Sequence, residues 1–590
     1  MHEKFSVLGI AFEHNATACL MEDGRTVFCQ SEERLNRIKN SSGFPSMTLE
    51  HIYDRLISPD RVDLAVLYER TIHGYLGMKQ RGFEPVAGGQ HLAPALLEPS
   101  LKQRLLRTNL GWKLQKFRIS RKEKKTALRK EAAAYFAKAL QLPPEKIRFL
   151  DHHLSHAYSA AANVHEWGRT LIFTLDAYGD GRCATVNLYD QGKLTTVSAT
   201  GDDNSLGNYY LATTLLLGMK APEDEYKVMG LAPYAKPQDF IHLTDQLRGL
   251  IRINSSGNWV SIPNPENLLY ELERIYRSQR FDRIAGAIQS LTESLVTQWV
   301  DFWIRKTGCR NVAVAGGVFM NVKVSQKLAE SDSIDRLYVV PSAGDESCAI
   351  GCAAWATLTN SPSLRLQPLG DLYLGMEYDR AAIKNALQDS LAESRYFISE
   401  PANIGRDLAG LLAQNRIVAR FSGRMEFGAR ALGNRSILAN PSDLANVRHL
   451  NAAIKNRDFW MPFAPSILEE DMHRYVLNPK QISAPYMCIA FDSVSTARAE
   501  IAAAIHPMDF TVRPQVVRKD WNPGFYEIIR MFKEQTGIGA LLNTSFNLHG
   551  EPMVCSPLDA IRTVDQSGLS HLVLGEFLLT KKFSGEPAAR

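Results

Sequence analysis

Leu171-Ile-Phe-Thr-Leu-Asp-Ala-Tyr-Gly-Asp-Gly181 is an apolar run that breaks into glycines and carboxylates. That is the pattern of a buried strand ending in a tight acidic loop. Strands follow over Ala184 to Tyr189 and Leu194 to Ala199, joined at Gln191-Gly192, so the segment reads as a three-stranded meander. The first thirty residues have the same layout: a strand from Phe5 to Phe12, a Glu13-His-Asn15 turn, a strand from Ala16 to Met21, the Asp23-Gly24 turn, and a strand from Thr26 to Gln30. Thr170 lies 165 residues after Phe5. Two copies of strand–loop–strand–turn–strand predict a duplicated α/β domain whose two first loops face each other across a cleft. A further strand running into an acidic loop, Leu337-Tyr-Val-Val-Pro-Ser-Ala-Gly-Asp-Glu346, repeats the motif.

Between the two meanders, Asp151-His-His-Leu-Ser-His156 opens a helix. His152 and His156 are i and i+4, so both imidazoles can reach one ion from a single helix face. Such a pair alone equally serves to cap and solvate a helix. With Asp176 and Asp345 supplied by the acidic loops, the set becomes a borderline-to-hard site suited to Fe(II), Mn(II) or Zn(II). Asn311-Val-Ala-Val-Ala-Gly-Gly317 is a strand ending in a glycine pair, and Val318 to Asn321 begins a helix. Glycines let backbone amides approach a nucleotide, and a helix N-terminus favours an anion. The whole arrangement resembles the actin/hexokinase-like (ASKHA) fold, in which nucleotide phosphates lie between the paired loops.

Length and composition fit an ordinary globular protein: 590 residues, 45% hydrophobic and 22% charged. No apolar stretch reaches membrane-spanning length and no secretory signal is visible. The eight cysteines form no Cys-x-x-Cys pair, and Cys348 and Cys352 read as core, so the expected compartment is the reducing cytoplasm. The net charge of +5 is uneven. Lys102 to Lys130 holds twelve Lys/Arg against Glu123 alone, which is +11 and leaves 5 − 11 = −6 for the remainder. Such a stretch can hold RNA, but a solvated helical insertion or a guide for a small anionic substrate is the commoner use.

A boundary falls where Asn360-Ser-Pro-Ser interrupts a helix and Pro368-Leu-Gly-Asp starts a new run; the expected domains are 1–366 and 367–590. The second domain holds Ser422-Gly-Arg-Met-Glu-Phe-Gly-Ala-Arg430-Ala-Leu-Gly-Asn-Arg435, Asn451-Ala-Ala-Ile-Lys455-Asn-Arg457, Val512-Arg513-Pro-Gln515 and Leu541-Leu-Asn543-Thr-Ser545-Phe-Asn547. Cations spaced by glycines beside an Asn-Thr-Ser loop suit a compact phosphate or carboxylate. Surface salt bridging would bring matching acids, and from Arg424 to Arg435 only Glu426 is acidic.

These motifs resemble the O-carbamoyltransferases, a family that includes the nodulation-factor, cephamycin, aminoglycoside and ansamycin carbamoyltransferases. The resemblance rests on His14-Asn-Ala-Thr-Ala, Glu32-Glu-Arg34 with Lys39, Asp151 to His156, Glu225-Tyr-Lys-Val-Met-Gly-Leu-Ala232, Gly316-Gly317 with Asn321, and Ala343-Gly-Asp-Glu346. In the second domain it rests on Gly428 to Ser436, Pro462-Phe-Ala-Pro465, and Asn543-Thr-Ser-Phe-Asn547 with Gly550-Glu-Pro552. It implies an α+β, YrdC-like second domain that makes carbamoyl adenylate from Mg-ATP and carbamoyl phosphate. Arg430, Lys455, Arg513, Asn543 and Ser545 would hold carbamoyl phosphate there. The first domain would pass the carbamoyl group to a hydroxyl of a small natural-product acceptor. His14 would act as base, and Lys39 would meet the acceptor. Asp176, Ala177, Tyr178, Gly179, Asp180, Gly207, Gly316, Gly317 and Asn321 would cradle the nucleotide.

The chain departs from the family pattern twice, with Asn15 where Asp is usual and Met461 where Arg is typical. Arg457 or Arg435 could take over from that missing arginine. The alternative is a tRNA threonylcarbamoyl-type transferase using the basic stretch, although aromatics there are limited to Trp112 and Phe117. A sugar or acetate kinase of the same fold would need neither the histidine pair nor a second anion site. Nucleic acid and membrane are therefore disfavoured as partners, and a homodimer is left open.

Overall fold

The computed structural model describes residues 4–69, 75–76, 78–79, 126–361 and 363–582. The chain divides into two compact units, Met1–Leu369 and Gly370–Arg590. Most of the basic stretch 102–130, and most of the 70–100 segment, lie outside the described residues.

In the first unit the expected meanders are present: β1 (Ser6–Ala11), β2 (Thr17–Glu22) and β3 (Arg25–Ser31). Then follow β4 (Leu64–Tyr68) and β5 (Ile147–Leu150). The second meander is β6 (Thr170–Gly179), β7 (Arg182–Asp190) and β8 (Lys193–Gly201). A small ladder of β9 (Ile251–Ile253) and β10 (Trp259–Ser261) precedes β11 (Asn311–Ala315) and β12 (Arg336–Val339).

The first sheet has the order β3-β2-β1-β4-β5 and the second β8-β7-β6-β11-β12. In each, the meander is antiparallel and the two later strands run parallel to its first strand. Identical order and sense in both halves is the duplication that the repeated sequence pattern predicts. The parallel strands arrive through long crossovers, as parallel pairing requires.

The halves are locked by an exchange of helices. His152–Val164, which follows the first sheet in sequence, packs on the second; Cys348–Asn360, which follows the second, packs on the first; and the two helices pack on each other. At Gly351 the two backbones come too close for a side chain. A Cβ at Gly351 would lie 1.8 Å from the Ser155 carbonyl oxygen, a separation that only glycine allows.

The second unit is built on one eight-stranded mixed sheet. Its strands are β13 (Tyr396–Ser399), β14 (Val418–Phe421), β15 (Arg435–Ala439), β16 (Ala464–Leu468), β19 (Gln515–Val517), β20 (Ala540–Ser545), β21 (His571–Leu574) and β22 (Phe577–Lys581). They lie in the order β13-β22-β21-β14-β15-β20-β16-β19, while β17 (Phe491–Asp492) and β18 (Thr511–Val512) pair separately. One face carries an apolar core that includes Phe421, Ile437, Phe463, Leu542, Phe546 and Phe577.

Candidate metal centre and anion site

Every loop at the heart of the first unit follows the carboxyl end of a strand: 12–16 after β1, Asp151 after β5, Asp176–Gly181 at the end of β6, Gly316-Gly317 after β11, and Asp345 beyond β12. Such ends are where open α/β sheets hold ligands. Asp151 caps the His152 helix by accepting from the Leu154 amide at 3.2 Å. Asp180, in a left-handed turn (φ 51°), accepts from the His152 amide at 2.8 Å. Two carboxylates thus satisfy the first-turn donors and complement the helix dipole.

His152 and His156 point the same way, as their spacing predicts. His152 Nε2 lies 3.9 Å from Asp176 Oδ2 and 3.6 Å from Asp345 Oδ1, and His156 Nε2 lies 3.3 Å and 3.5 Å from the same atoms. One ligand atom from each of the four residues falls within 4.8 Å of all the others. Both Nε2 atoms are buried without a hydrogen bond. Buried polar atoms are seldom left so, and a cation is the simplest partner for two imidazoles and two carboxylates. Ligands at ~2.1 Å from an ion stand at most ~4.2 Å apart, so the cluster needs to close by a few tenths of an ångström. The donor set fits a transition metal.

The electrostatics agree. Burial opposes charge on His156, but Cys348, Asp176 and Asp345 outweigh it and hold the imidazole well above its usual range. His152 is raised against the same burial, first by Asp345 and then by Asp176. Burial would raise Asp176, yet the two imidazoles beside it hold it well below the usual carboxylate range. A metal must therefore displace protons here, which makes its binding pH-dependent. His153 faces elsewhere. Its Nδ1 meets Thr174 Oγ1 at 2.8 Å, and burial with the fields of His152 and His156 pushes it well below 6.5, so it is neutral.

The sites expected for the nucleotide divide into two groups. Asp176 leaves the β6–β7 ladder at a register shift between Leu175 and Gly179, where bulges re-aim side chains. It accepts from Ala177 N at 2.7 Å and from Gly317 N at 3.0 Å. Gly316 N is also engaged, with Ala343 O at 2.8 Å. Gly316 takes φ +103°, and a Cβ there would stand 2.4 Å from Leu175 O. The glycine pair thus clasps the metal-site strands together through the very amides that the sequence suggested for phosphate. Gly179 makes room for His152, whose ring would lie 2.3 Å from a Cβ at that position. Gly207 fits against the Ala177 backbone, and Tyr178 is exposed. Asn321 is a helix N-cap: Oδ1 accepts from Lys323 and Val324, and Nδ2 donates to Gln289 at 2.8 Å.

His14 is brought to the centre, with Nδ1 3.8 Å from Asp345 Oδ2 and Nε2 buried without a hydrogen bond. Its neighbour Asn15 donates to Glu346 Oε2 at 3.3 Å, joining loops from the two halves. Glu346 is buried and raised above the ordinary carboxylate range, chiefly by that burial. Aspartate at position 15 would set carboxylate against carboxylate, so asparagine suits this pairing. Lys39 sits on the loop that pairs with the His14 turn through Glu13–Gly43 and Ala16–Ser41. The sequence reading missed the Asn15–Glu346 clasp and the contact of Cys348 with His156, which join residues far apart in the chain.

Glu225 belongs to a quoted motif and begins the helix Glu225–Leu231. Its Oε1 is buried without a hydrogen bond, and burial pushes the carboxyl up to about 7. Between the unfolded value of 4.5 and about 7 the folded protein keeps a proton that the unfolded chain has released. Stability therefore falls as pH rises through that window. Glu225→Gln is expected to flatten this slope and to gain up to about 3 kcal/mol at pH 8 and little at pH 4. Urea unfolding at the two pH values measures it, and equal gains at both would contradict the assignment.

In the second unit the cations gather at the end of β20. Lys455 is buried in the short π-turn Asn451–Lys455 and donates to Ser545 O, to Ser545 Oγ at 3.1 Å and to Asn547 Oδ1 at 2.8 Å. Asn543 donates to Ala431 O, beside Arg430, at 3.1 Å and to Gln515 Oε1, two residues from Arg513, at 3.2 Å. Arg513 is pushed well below the usual guanidinium range, first by burial and then by Arg430 and Arg457. Lys455 and Ser545 thus meet at this strand end beside Asn543, and Arg430 lies near enough to Arg513 to oppose its charge. Arg435 is spent elsewhere. It donates to the Ser422 and Gly423 carbonyls at 3.0 and 3.2 Å and lies 3.7 Å over the Phe421 ring, so it holds the fold and does not replace an arginine at position 461.

The family models for the carbamoyltransferase N-terminus and C-terminus match residues 6–354 and 409–581. The chain belongs to the O-carbamoyltransferase family. Nodulation protein NolNO of Sinorhizobium fredii (strain NBRC 101917 / NGR234) is 30% identical over 99% of this chain and 81% of its own. The 3'-hydroxymethylcephem-O-carbamoyltransferase of Amycolatopsis lactamdurans is 30% identical over 45% of this carbamoyltransferase and 47% of its own chain. The crystal structure of full-length HypF in its phosphate- and nucleotide-bound form is 13% identical, covers 61% of this chain and 57% of its own, and has a TM-score of 0.36, too low to bear on function. The protein is thus an enzyme that transfers carbamoyl groups. Among the described residues, no helix of this carbamoyltransferase is long and apolar enough to cross a membrane.

Proposed function

We propose that a YrdC-like second domain of this carbamoyltransferase hydrolyses carbamoyl phosphate to carbamate and inorganic phosphate, and that the carbamate oxygen then attacks the α-phosphate of ATP, giving carbamoyl adenylate and releasing pyrophosphate. The actin/hexokinase-like first domain then passes the carbamoyl group to a hydroxyl of a small acceptor. One observation carries the reading: the chain has two sites of opposite character. The first unit has imidazoles and carboxylates converging at strand ends, and the second has guanidinium and ammonium groups around an Asn-Thr-Ser strand end.

The chemistry asks for both. Nitrogen donates into the carbamoyl carbonyl and makes it a poor electrophile, so it needs a good leaving group. The second unit's cations bind a phosphate and spread its charge. In the first unit the acceptor hydroxyl attacks the carbamoyl carbon, the carbon–oxygen bond to phosphate breaks, and AMP leaves with the electron pair. His14 takes the hydroxyl proton at Nε2, the nitrogen turned away from Asp345, and such base catalysis contributes about 10²–10⁴-fold. Lys39, on the adjoining loop, orients the acceptor. Fe(II), Mn(II) or Zn(II) held by His152, His156, Asp176 and Asp345 would supply positive charge against the phosphate.

The test is product analysis. With ATP, carbamoyl phosphate and hydroxylated natural-product scaffolds, the expected products are AMP, pyrophosphate, inorganic phosphate and an acceptor heavier by one carbamoyl unit. ADP formation, or nucleotide turnover that ignores carbamoyl phosphate, would overturn the proposal in favour of a kinase.

A further inference from the structure

We propose that Asn543 gives the second unit's anion site its selectivity for a carbamoyl group: its side-chain oxygen accepts from the ligand's –NH2, and Gln515 locks the amide that carries it. The inference rests on the reading of that site as the carbamoyl phosphate site. It deepens that reading by naming what tells a carbamoyl group from other acyl groups.

Side chains alternate along a strand, and Ile437, Ala439 and Leu542 belong to the apolar core on one face of the sheet. Their neighbours Ser436, Asn543 and Ser545 therefore take the other face, where Ser436 stands opposite Ser545. Ser466 of β16 joins them, since it stands opposite Leu541 on one side and Gln515 on the other. Asn543, Gln515 and Ser466 are all buried, so this polar face is closed off from bulk water.

The hydrogen bonds fix which way the Asn543 amide is turned. Gln515 Nε2 donates to Leu432 O at 2.7 Å, which makes Gln515 Oε1 an acceptor. Oε1 receives Ser466 Oγ at 2.6 Å and Asn543 Nδ2 at 3.2 Å. Asn543 Nδ2 also reaches Ser466 Oγ at 2.9 Å and Ala431 O at 3.1 Å. Turning the amide over would set its oxygen against the oxygens of Ala431 and Gln515, neither of which has a proton to give. The nitrogen is thus committed to the protein, and Oδ1 is turned away from those partners.

Oδ1 is buried and has no hydrogen-bond partner among the described residues, a condition that buried acceptors rarely keep. It suits a donor and not a phosphate, whose oxygens are themselves acceptors. Two residues along the same face, Lys455 donates to Ser545 Oγ at 3.1 Å. The strand end therefore sets a cation, which suits phosphate, beside an acceptor, which suits an N–H. Carbamoyl phosphate carries both kinds of partner in one molecule. Acetyl phosphate puts a methyl group where the –NH2 would be and leaves Oδ1 desolvated and unpaired, the kind of mismatch by which polar sites discriminate best.

The experiment uses the full chain without ATP. Carbamoyl phosphate, acetyl phosphate and inorganic phosphate are each titrated against the thermal midpoint to give apparent dissociation constants. Wild type is expected to hold carbamoyl phosphate about 10- to 100-fold more tightly than acetyl phosphate. Asn543→Leu, which keeps the volume without the acceptor, should bring the two constants together while inorganic phosphate binds much as before. Gln515→Met, which frees the amide to turn, should give an intermediate ratio. Equal affinity for the two acyl phosphates in wild type would overturn the proposal. So would an Asn543→Leu protein that loses all three ligands in equal proportion, which marks a merely structural asparagine. If Asn543→Leu does not fold, a wild-type ratio in Gln515→Met overturns the lock. A wild-type midpoint that ignores all three anions would instead defeat the reading of the site itself.

Discussion

His156→Ala, or His152→Ala, is expected to prevent metal binding and to abolish carbamoyl transfer while leaving adenylate formation near the wild-type rate. The loss follows from the geometry of the four-residue cluster. Each histidine has a buried nitrogen without a hydrogen-bond partner among the described residues, and both carboxylates stand within 4 Å of each imidazole. Without one imidazole, Asp176 and Asp345 face each other with a single histidine between them, and a three-ligand remnant holds an ion weakly. Charge stabilisation by a metal amounts to several kcal/mol, so transfer should fall on the order of 10³-fold or more. ATP–pyrophosphate exchange dependent on carbamoyl phosphate reports the other half-reaction, and elemental analysis reports the metal. Simultaneous collapse of exchange and transfer in a variant that remains folded would mean that the two chemistries do not occupy separate sites.

The second large effect is a trade between stability and binding at Arg513. Burial and two neighbouring guanidinium groups disfavour its charge, and under the proposed function an arriving phosphate would convert the repulsion into attraction. Arg513→Met should therefore stabilise the ligand-free second unit, by about 1–4 kcal/mol if it behaves as other buried charges replaced by apolar residues do. For a unit of this size each kcal/mol raises the thermal midpoint by roughly 2–4 °C. The same change should weaken carbamoyl phosphate by 10-fold or more, through loss of a charge-assisted contact. Functional sites often hold such strain in place of stability. A destabilised Arg513→Met whose carbamoyl phosphate affinity equals the wild type would show that the arginine serves the fold.

Several features were legible before any tertiary structure, because their signals are local. The two meanders announce themselves through alternation and turn residues, with Asp23-Gly24 in one and Gln191-Gly192 in the other at positive φ. The pairing of His152 with His156 needs only helical spacing. Cations around Asn543 and Ser545 stood out for want of matching acids. The family motifs extended these readings to the whole chain.

Other assignments required the fold. Gly179 reads as a loop glycine, and only the approach of the His152 ring shows why a side chain is excluded there. Gly317 reads as a phosphate-binding amide, yet its N–H is given to Asp176. Asn321, expected beside the nucleotide, also serves as a helix N-cap, which its sequence alone does not show. Arg435 and Arg457 look interchangeable in sequence; one is buried against Phe421 and backbone carbonyls, and the other lies over Phe463 and donates to Thr544.

The amino-acid order alone therefore determined the duplicated strand pattern, the one-turn spacing of His152 and His156 and the cluster of cations without matching acids, since each depends on residue chemistry at short spacing. Tertiary structure alone decided which polar groups are left for a ligand and which are consumed internally. A hydrogen bond or a ring contact joins whatever the fold brings together, such as Asn15 with Glu346, 331 residues apart, and no local periodicity encodes that meeting.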